Sequence, residues 1–250
     1  MIEAQALSKE FKDRKRGLIR AVDGVSFSCH PGRIFGLLGA NGAGKTTCLR
    51  LLATLLAPTG GRAIVAGHDV ATEPGKVRAR IGFMSNSTAL YGRLTAREMI
   101  EYFGRLHGLD GAALRMRVDT LVDELGIGPF AKGRCDKLST GQKQRVSIAR
   151  AIVHQPEVVI FDEPTNGLDV MTSRTITGFI HRCRAEGRTV IFSTHIMSEA
   201  ERLCDEIAVM HGGRIVALGT MDTLRAQTGQ TQLESVFLAL VGESSEEVAP

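Results

Sequence analysis

The nine residues from Gly39 to Thr47, GANGAGKTT, have the types and spacing needed to bind a phosphate group. They match the pattern G-x-x-x-x-G-K-[ST] at Gly39, Gly44, Lys45 and Thr46. Glycines let the backbone N–H groups point inward at an anion, and the lysine adds a positive charge. The Thr46 hydroxyl is a hard oxygen ligand of the kind that Mg²⁺ prefers. The alternative is a glycine-rich turn that binds nothing.

The segments on either side of this loop favour the phosphate site. Arg33–Leu38 is a short apolar run that predicts a buried strand, and Thr46–Leu56 has leucines at helical spacing. A strand, a glycine loop and a helix N-terminus together form a ready anion site.

An acidic pair stands at the end of a second apolar strand. The stretch VVIFDEP at 158–164 places Asp162 and Glu163 there. One carboxylate could hold the shell of a Mg²⁺ ion, and the next could polarise an attacking water. Without the phosphate loop, the same stretch could be an ordinary acidic turn.

Three further stretches could complete a nucleotide site. LSTGQ at 138–142 begins a helix, so Ser139 and the Gly141 amide could meet a phosphate, although an N-cap alone needs the same residues. NGLD at 166–169 closely follows the acidic pair. His195 comes just after a strand, and such strand ends open toward the ligand crevice of a doubly wound sheet. A structural histidine is the alternative.

The surrounding elements predict an α/β scheme interrupted by helices. From Thr95 to His154 helical spacing dominates, and the unbroken apolar run Glu157–Phe161 is typical of a central parallel strand. Two terminal helices are expected at Met221–Gln227 and Leu233–Val241, followed by a disordered tail over 242–250.

Bulk properties narrow the class of protein. The 250 residues carry a net charge of +4, too small to argue for a nucleic-acid partner. The five cysteines are widely spaced without a CxxC pair, which favours a reducing compartment over a disulfide framework or a zinc site. We find no signal-peptide pattern and no apolar run of about 18 residues that would predict a membrane span.

Taken together, the motifs resemble those of the ATP-binding cassette (ABC) ATPases. GANGAGKTT, LSTGQ, VVIFDEP, NGLD and STH occur in that family's order over about residues 2–220. The resemblance implies an α/β P-loop NTPase fold with a mixed sheet core, an inserted helical subdomain and an N-terminal antiparallel β portion. It implies a core at 2–86 and 156–220, a helical subdomain at 87–155, and a C-terminal extension and tail at 221–250.

The resemblance also assigns a role to each site residue. Glu163 would be the general base and His195 would contact the γ-phosphate. ATP and Mg²⁺ would be the cofactors, with Thr46, Asp162 and Asn86 on the metal. The remaining nucleotide contacts would come from Phe11 on adenine, from Gly39, Asn41, Gly42, Ala43, Gly44, Lys45, Thr46 and Thr47 on the phosphates, from Ser139 and Gly141 on the ATP of a second subunit, and from Asp169 at the seam between the two.

Two positions depart from the family pattern. LSTGQ at 138–142 corresponds to the signature motif of the family, and Thr140 stands where that signature usually has a second glycine. Asn86 stands where the family has a glutamine, and its side chain is one methylene shorter. Asn86 could therefore reach the metal only through a water, or it could be a loop residue with no metal role.

The resemblance narrows to ABC-2-type exporters and, within them, to the NatA-type sodium-exporting subgroup. GANGAGKTT with DEPTNGLDV resembles the former. STALYGRLTARE, LSTGQKQRVSIARAI, THIMSEAERLCD and LESVFLALVG resemble the latter. A drug or lipid exporter remains the alternative, because a cassette does not itself contact the transported species.

We therefore expect an ATPase subunit at the cytoplasmic face of the membrane. Its partners would be an integral-membrane permease and a second copy of the chain, with no nucleic acid. Two alternatives are a soluble ABC ATPase of DNA repair or translation and a non-hydrolysing clamp. The single cassette and mild charge disfavour the first, and the intact Glu163 and His195 disfavour the second.

Overall fold

The computed structural model describes the backbone of residues 1–13, 15, 17–85 and 89–246, with side chains in those ranges as far as residue 242. Asn86, which the resemblance places at the metal, lies outside the described residues, as does the expected boundary at residues 86 and 87. Within the described residues, no helix is both long and apolar enough to cross a bilayer.

The described chain contains both strands and helices. The strands are β1 Ile2–Asp13, β2 Gly17–Cys29, β3 Ile34–Leu38, β4 Gly60–Val65, β5 His68–Asp69, β6 Ile81–Met84, β7 Val158–Asp162, β8 Thr189–Thr194, β9 Glu206–His211 and β10 Arg214–Gly219. The helices are α1 Lys45–Leu52, α2 Pro74–Arg80, α3 Ala96–Leu106, α4 Gly111–Glu124, α5 Thr140–Ile152, α6 Val170–Ala185, α7 Met197–Leu203, α8 Met221–Thr228 and α9 Leu233–Glu246, with 3₁₀ turns at Gly128–Phe130 and Cys135–Lys137.

The larger sheet has the strand order β10-β9-β3-β8-β7-β6. β3 pairs in parallel with β8 and β9, and β7 pairs in parallel with β6 and β8, whereas β10 is antiparallel to β9. Every residue of β3, β7 and β8 is buried, as expected for parallel strands covered on both faces. The prediction of a mixed sheet core is confirmed, and β3, β8 and β7 end at one edge.

A second sheet is formed by the N-terminal strands. Its order is β2-β1-β4-β5, and its paired strands are antiparallel. The β1–β2 pair extends from Ile2 opposite Cys29 to Asp13 opposite Gly17. The predicted antiparallel β portion is therefore confirmed.

Three helices, α3 to α5, follow β6 and precede β7 along the chain. α3 begins with the predicted capping box, in which Thr95 and Glu98 bond each other's backbone. Buried side chains of these helices, including Met99, Val118 and Val146, share one apolar cluster with Phe161 of the sheet. The helical segment thus shares its apolar core with the sheet, and α5 packs against β6.

Two predicted boundaries are wrong. The first helix ends at Leu52 rather than Leu56, because Thr54 adopts a left-handed φ of 59° and the N–H groups of Leu55 and Leu56 both turn back to Arg50 O. The tail expected to be disordered from residue 242 remains helical through Glu246. Buried side chains such as Leu240 anchor α9 on the sheet, and serine and glutamate extend a helix at little cost.

Candidate functional site

The phosphate loop joins β3 to α1 at the edge where the central strands end. Gly44 caps α1 with a φ of 104°, and a Cβ placed on it would lie 2.3 Å from Ala21 O. A Cβ on Gly39 would lie 2.5 Å from Met210 O. Both positions therefore require glycine, and the loop stays tight enough to point its N–H groups at an anion.

Lys45 occupies a buried position beneath the loop. It is 4% exposed, and its Nζ donates hydrogen bonds to Gly39 O at 2.7 Å and Ala40 O at 3.1 Å. Burial lowers the pKa of the Lys45 ammonium, while the nearby Glu163 and Asp162 carboxylates oppose that effect. Solvent therefore screens the Lys45 charge poorly, and a phosphate bound to the loop would neutralise it.

Asp162 and Thr46 bring two hard oxygen ligands together. The Thr46 hydroxyl donates to Asp162 Oδ1 at 3.0 Å. Ser193 donates to the same oxygen at 2.8 Å. Asp162 is the last residue of β7 and is 2% exposed. A hydroxyl at the start of α1 and a fixed carboxylate at the end of β7 form a donor set that suits Mg²⁺.

Glu163 follows Asp162 in a left-handed conformation with a φ of 49°. Such a backbone is strained for a residue with a side chain, and it persists where its surroundings fix it. Here the Glu163 N–H donates to Ser193 O and Ser193 Oγ at 3.2 and 3.1 Å. The strained turn aims the Glu163 carboxylate back toward the phosphate loop.

The Glu163 carboxylate contacts groups from two other segments and from its own turn. Oε1 lies 3.6 Å from Lys45 Nζ and 3.2 Å from His195 Nδ1, and Oε2 accepts a hydrogen bond from Asn166 Nδ2 at 3.1 Å. The His195 contact lacks the direction of a hydrogen bond. The ends of β3, β7 and β8 therefore meet at one carboxylate.

The cleft above the loop has a volume of about 170 Å³. Its lining contains most of the residues predicted to bind the phosphates, together with Ala21 of β2, which the sequence did not indicate. The lining residues are Ala21, Asn41, Gly42, Ala43, Gly44, Lys45, Thr46, Thr47 and Glu163. Ser193 and Asn166 were also missed as site residues, although each lies in a stretch singled out beside a strand end.

Other predicted contacts lie outside that lining. Ser139 caps α5, where its Oγ accepts from Gln142 N. Gly141 packs against Thr172, since a Cβ on it would lie 3.0 Å from Thr172 Cγ2. Asp169 caps α6 and accepts from Thr172 N and Oγ1 at 2.9 and 2.7 Å, bonds that lower the pKa of its carboxyl. The signature and the NGLD stretch are thus neighbours within one chain.

The predicted adenine contact, Phe11, lies on the exposed β1–β2 pair. It is opposite Ile19 of β2, two residues before Ala21, and the Lys9 ammonium lies 5.3 Å from its ring centre. Phe11 is therefore on the same sheet as a residue of the cleft, but it does not line the cleft itself.

A larger groove of about 780 Å³ lies where the helical segment meets β6. Its walls combine apolar side chains with basic ones. Three arginines and two histidines line it, and no acidic residue does among the described residues. The basic lining residues are Arg50, Arg78, His107, Arg150 and His154.

Comparison with known proteins settles the family. A family model described as "ABC transporter" matches residues 22–166, more than half of the chain. The chain belongs to the ABC transporter family. It is an ABC ATPase subunit that binds and hydrolyses ATP, as the site geometry and the motifs indicate.

Several relatives extend this similarity beyond the matched region. The ABC transporter ATP-binding protein NatA of Bacillus subtilis (strain 168) is 38% identical over 240 residues, which cover 96% of this chain and 97% of that protein. The probable multidrug ABC transporter ATP-binding protein YbhF of Escherichia coli (strain K12) is 36% identical over 99% of this ABC subunit, which spans only 43% of YbhF.

The fold matches solved ABC cassettes. The dimeric structure of a post-hydrolysis state of the ATP-binding cassette MJ0796 bound to ADP and Pi has a TM-score of 0.81 and 26% identity, covering 88% of this chain and 98% of that one. The predicted P-loop NTPase fold of an ABC cassette is therefore confirmed.

Proposed function

We propose that this subunit powers export through a separate integral-membrane permease, from the cytoplasmic face of the membrane. The observation that carries the proposal is the meeting of three strand ends at Glu163. Lys45 after β3 and His195 after β8 both lie within 3.6 Å of its carboxylate. A cation for the phosphates and a carboxylate beside the attacking water are groups that phosphoryl transfer to water uses. The His195 imidazole adjoins them.

In this proposal Lys45 and the loop N–H groups bind the phosphates. Glu163 accepts a proton from the attacking water, and His195 contacts the γ-phosphate as the new bond forms. The Glu163 carboxylate already approaches Lys45, the residue that would hold the β- and γ-phosphates. A water between Glu163 and the terminal phosphate would therefore lie within reach of the base.

The donor set at Asp162 fits Mg²⁺. Thr46 Oγ1 and Asp162 Oδ1 are 3.0 Å apart, and Ser193 fixes the same carboxylate oxygen. The ion, when bound, would neutralise charge on the β- and γ-phosphates. Asn86 stays a predicted third contributor.

We also propose that two copies share two ATP molecules. Ser139 and Gly141 would then bind the ATP held by the partner's phosphate loop, Asp169 would lie at the seam, and Phe11 would stack on adenine. The similarity to the dimeric MJ0796 cassette supports this arrangement. The proposed division is a core at 2–86 and 156–220, a helical subdomain at 87–155 and an extension from 221.

The groove beside β6 is the proposed docking site for the permease. Arg50, Arg78 and Arg150 line it together with apolar side chains. Since no described residue in the lining is acidic, the complementary partner segment is an apolar one that carries carboxylates. The groove also adjoins Ser85, the last described residue before the expected boundary, so that a segment bound there would contact both parts of the cassette.

We propose Na⁺ as the exported species. The support is the resemblance of STALYGRLTARE and LSTGQKQRVSIARAI to the sodium-exporting subgroup and the similarity to NatA over nearly the whole chain. The similarity to a probable multidrug protein favours drug export as the second candidate.

Reconstitution separates the two candidates. The complex of this subunit with the permease that co-purifies from native membranes would be placed in liposomes, and ATP-dependent ²²Na⁺ flux would be measured beside flux of a cationic dye. We expect Na⁺ flux that disappears with Glu163→Gln. Dye flux without Na⁺ flux would favour drug export, and purification with ribosomes or DNA instead of a permease would overturn the exporter proposal.

A further inference from the structure

A buried carboxylate outside the cleft links two of the turns that build it. Glu199 of α7 is 7% exposed. Its Oε2 accepts hydrogen bonds from Thr165 Oγ1 at 2.7 Å and from Thr194 Oγ1 at 3.3 Å. Both threonines are almost completely buried. Among the described residues, Glu199 forms no ion pair, so these two hydroxyls carry its hydrogen bonding.

The Thr194 hydroxyl belongs to the turn that holds His195. Thr194 is the last residue of β8, and its Oγ1 also accepts the N–H of Ile196 at 2.9 Å. A hydroxyl has one proton to donate and lone pairs to accept with. Thr194 therefore uses its proton on Glu199 and a lone pair on Ile196, which fixes the backbone on both sides of His195.

The Thr165 hydroxyl belongs to the turn that holds Glu163. Thr165 lies two residues after Glu163, and its carbonyl oxygen accepts the N–H of Leu168 at 3.2 Å. Within the same turn Asn166 N donates to Glu163 O at 3.3 Å, and its side chain donates to the Glu163 carboxylate. Movement of Thr165 would therefore move both the strained Glu163 backbone and the amide that orients its carboxylate.

A carboxylate is expensive to bury, and hydroxyl bonds to it are stronger than bonds between neutral groups. A charge at this depth therefore holds its two donors firmly, and the donors come from the two loops whose side chains meet at 3.2 Å. We propose that Glu199 is a positioning residue for ATP hydrolysis, which locks the turns after β7 and β8 so that Glu163 and His195 stay together. The proposal rests on the roles proposed above for those two residues.

The test replaces the donors and the acceptor separately. Thr165→Val and Thr194→Val keep the side-chain volume but remove the hydroxyl, whereas Thr194→Ser restores it. Glu199→Gln keeps an oxygen that can accept, and Glu199→Ala removes it. Glu201→Gln is the matched control, because Glu201 is a half-exposed carboxylate of the same helix that pairs with Arg225 instead.

We expect Thr165→Val, Thr194→Val and Glu199→Ala to lower kcat by about tenfold or more, because misplacing a catalytic group by about 1 Å can cost up to ~10²-fold. The KM for ATP and the affinity for ADP should change less than about twofold, since the phosphate loop is untouched. Thr194→Ser should recover kcat, Glu199→Gln should fall between Ala and wild type, and Glu201→Gln should match wild type.

A second background distinguishes positioning from a general structural role. In Glu163→Gln enzyme the base is already absent, so Glu199→Ala should lower the residual rate less than about twofold, as expected for residues that act as a unit. An equal fold loss in both backgrounds, or wild-type kcat in both threonine-to-valine variants, would overturn the proposal. If Glu163→Gln itself kept wild-type kcat, the catalytic role proposed for Glu163 would be wrong, and the Glu199 proposal that rests on it would be wrong as well. Should Glu199→Ala fail to fold, the threonine variants still decide.

Discussion

The Lys45 ammonium lies 3.6 Å from the Glu163 carboxylate, although the two residues belong to different strand–loop segments. Each side chain is largely buried, so the pair is poorly screened by solvent. A phosphate that binds the loop must share Lys45 with Glu163. Nucleotide binding should therefore alter the contact between Lys45 and Glu163, the residue proposed as the base.

Replacing Lys45 with methionine keeps the stem but removes the charge. We expect ATP affinity to fall by about tenfold or more, because a hydrogen bond to a charged group contributes about 1.5–3 kcal/mol. Titration with a fluorescent ATP analogue measures the change. Lys132→Met, at an exposed lysine of the helical segment, is the control and should bind normally. Equal affinity for both variants would contradict the proposed role of Lys45.

Thr46→Ala should raise the Mg²⁺ concentration needed for ATPase activity, because it removes one of the two adjacent oxygen ligands. Thr46→Ser keeps the hydroxyl and should stay close to wild type. The measurement is a Mg²⁺ titration of the hydrolysis rate at saturating ATP. Overlapping curves for the alanine and serine variants would exclude the Thr46 hydroxyl from the metal. In the same assay, Asn86→Gln should shift the curve toward lower Mg²⁺ if Asn86 reaches the metal through a water. The curve should stay unchanged if Asn86 is a loop residue with no metal role.

Mixed dimers test the shared site. A Lys45→Ala subunit paired with a Ser139→Ala subunit has one composite site with both defects and one with neither. Each homodimer has a defect in both sites. In an equal mixture with random pairing, half of the dimers are mixed and each has one intact site of two. We therefore expect ATPase activity to rise on mixing to about a quarter of the wild-type rate. A mixture no more active than the average of the two homodimers would contradict the shared-site proposal.

Acid should destabilise the fold through His154. Its ring stacks on His107 with 3.7 Å between ring centres, and its Nε2 lies 3.0 Å from Ile81 O. Burial, followed by the neighbouring His107, lowers the pKa of His154 from 6.5 to about 4. Because the folded state favours the neutral ring, this contribution is complete above pH 6.5 and is lost as the pH falls from 6.5 toward 4.

The measurement for His154 is the urea midpoint between pH 8 and pH 5. His154→Gln should flatten the decrease, whereas the same change at His30, an exposed histidine, should leave it as in wild type. A decrease of unchanged size in His154→Gln would show that other groups cause it.

Local patterns predicted the strand ends well and the helix boundaries less well. The unbroken apolar runs before Gly39 and Asp162 predicted buried parallel strands, because only strands covered on both faces tolerate such runs. The first helix was overestimated, since the left-handed Thr54 depends on a turn that leucine spacing does not reveal. α2 was missed because seven residues beginning with Pro74 carry little periodicity.

The residues proposed as catalytic were predicted from motifs, but the groups that hold them were not. Ser193 bonds Asp162, and Glu199 bonds Thr165, across about 30 residues of sequence. Only the folded chain brings these partners together. Sequence spacing likewise could not show that Gly141 packs on Thr172 of its own chain, which links the signature to the helix capped by Asp169.

The role of Glu163 is tested most directly by ATP hydrolysis in Glu163→Gln. We expect a rate lower by about 10²–10⁴-fold, the usual cost of losing a general base, with ATP affinity retained. We also expect this variant, incubated with ATP and Mg²⁺, to elute from a sizing column as an ATP-bound dimer. A variant that hydrolyses ATP at the wild-type rate, or that binds ATP and stays monomeric, would contradict the roles proposed for Glu163 and for the shared site.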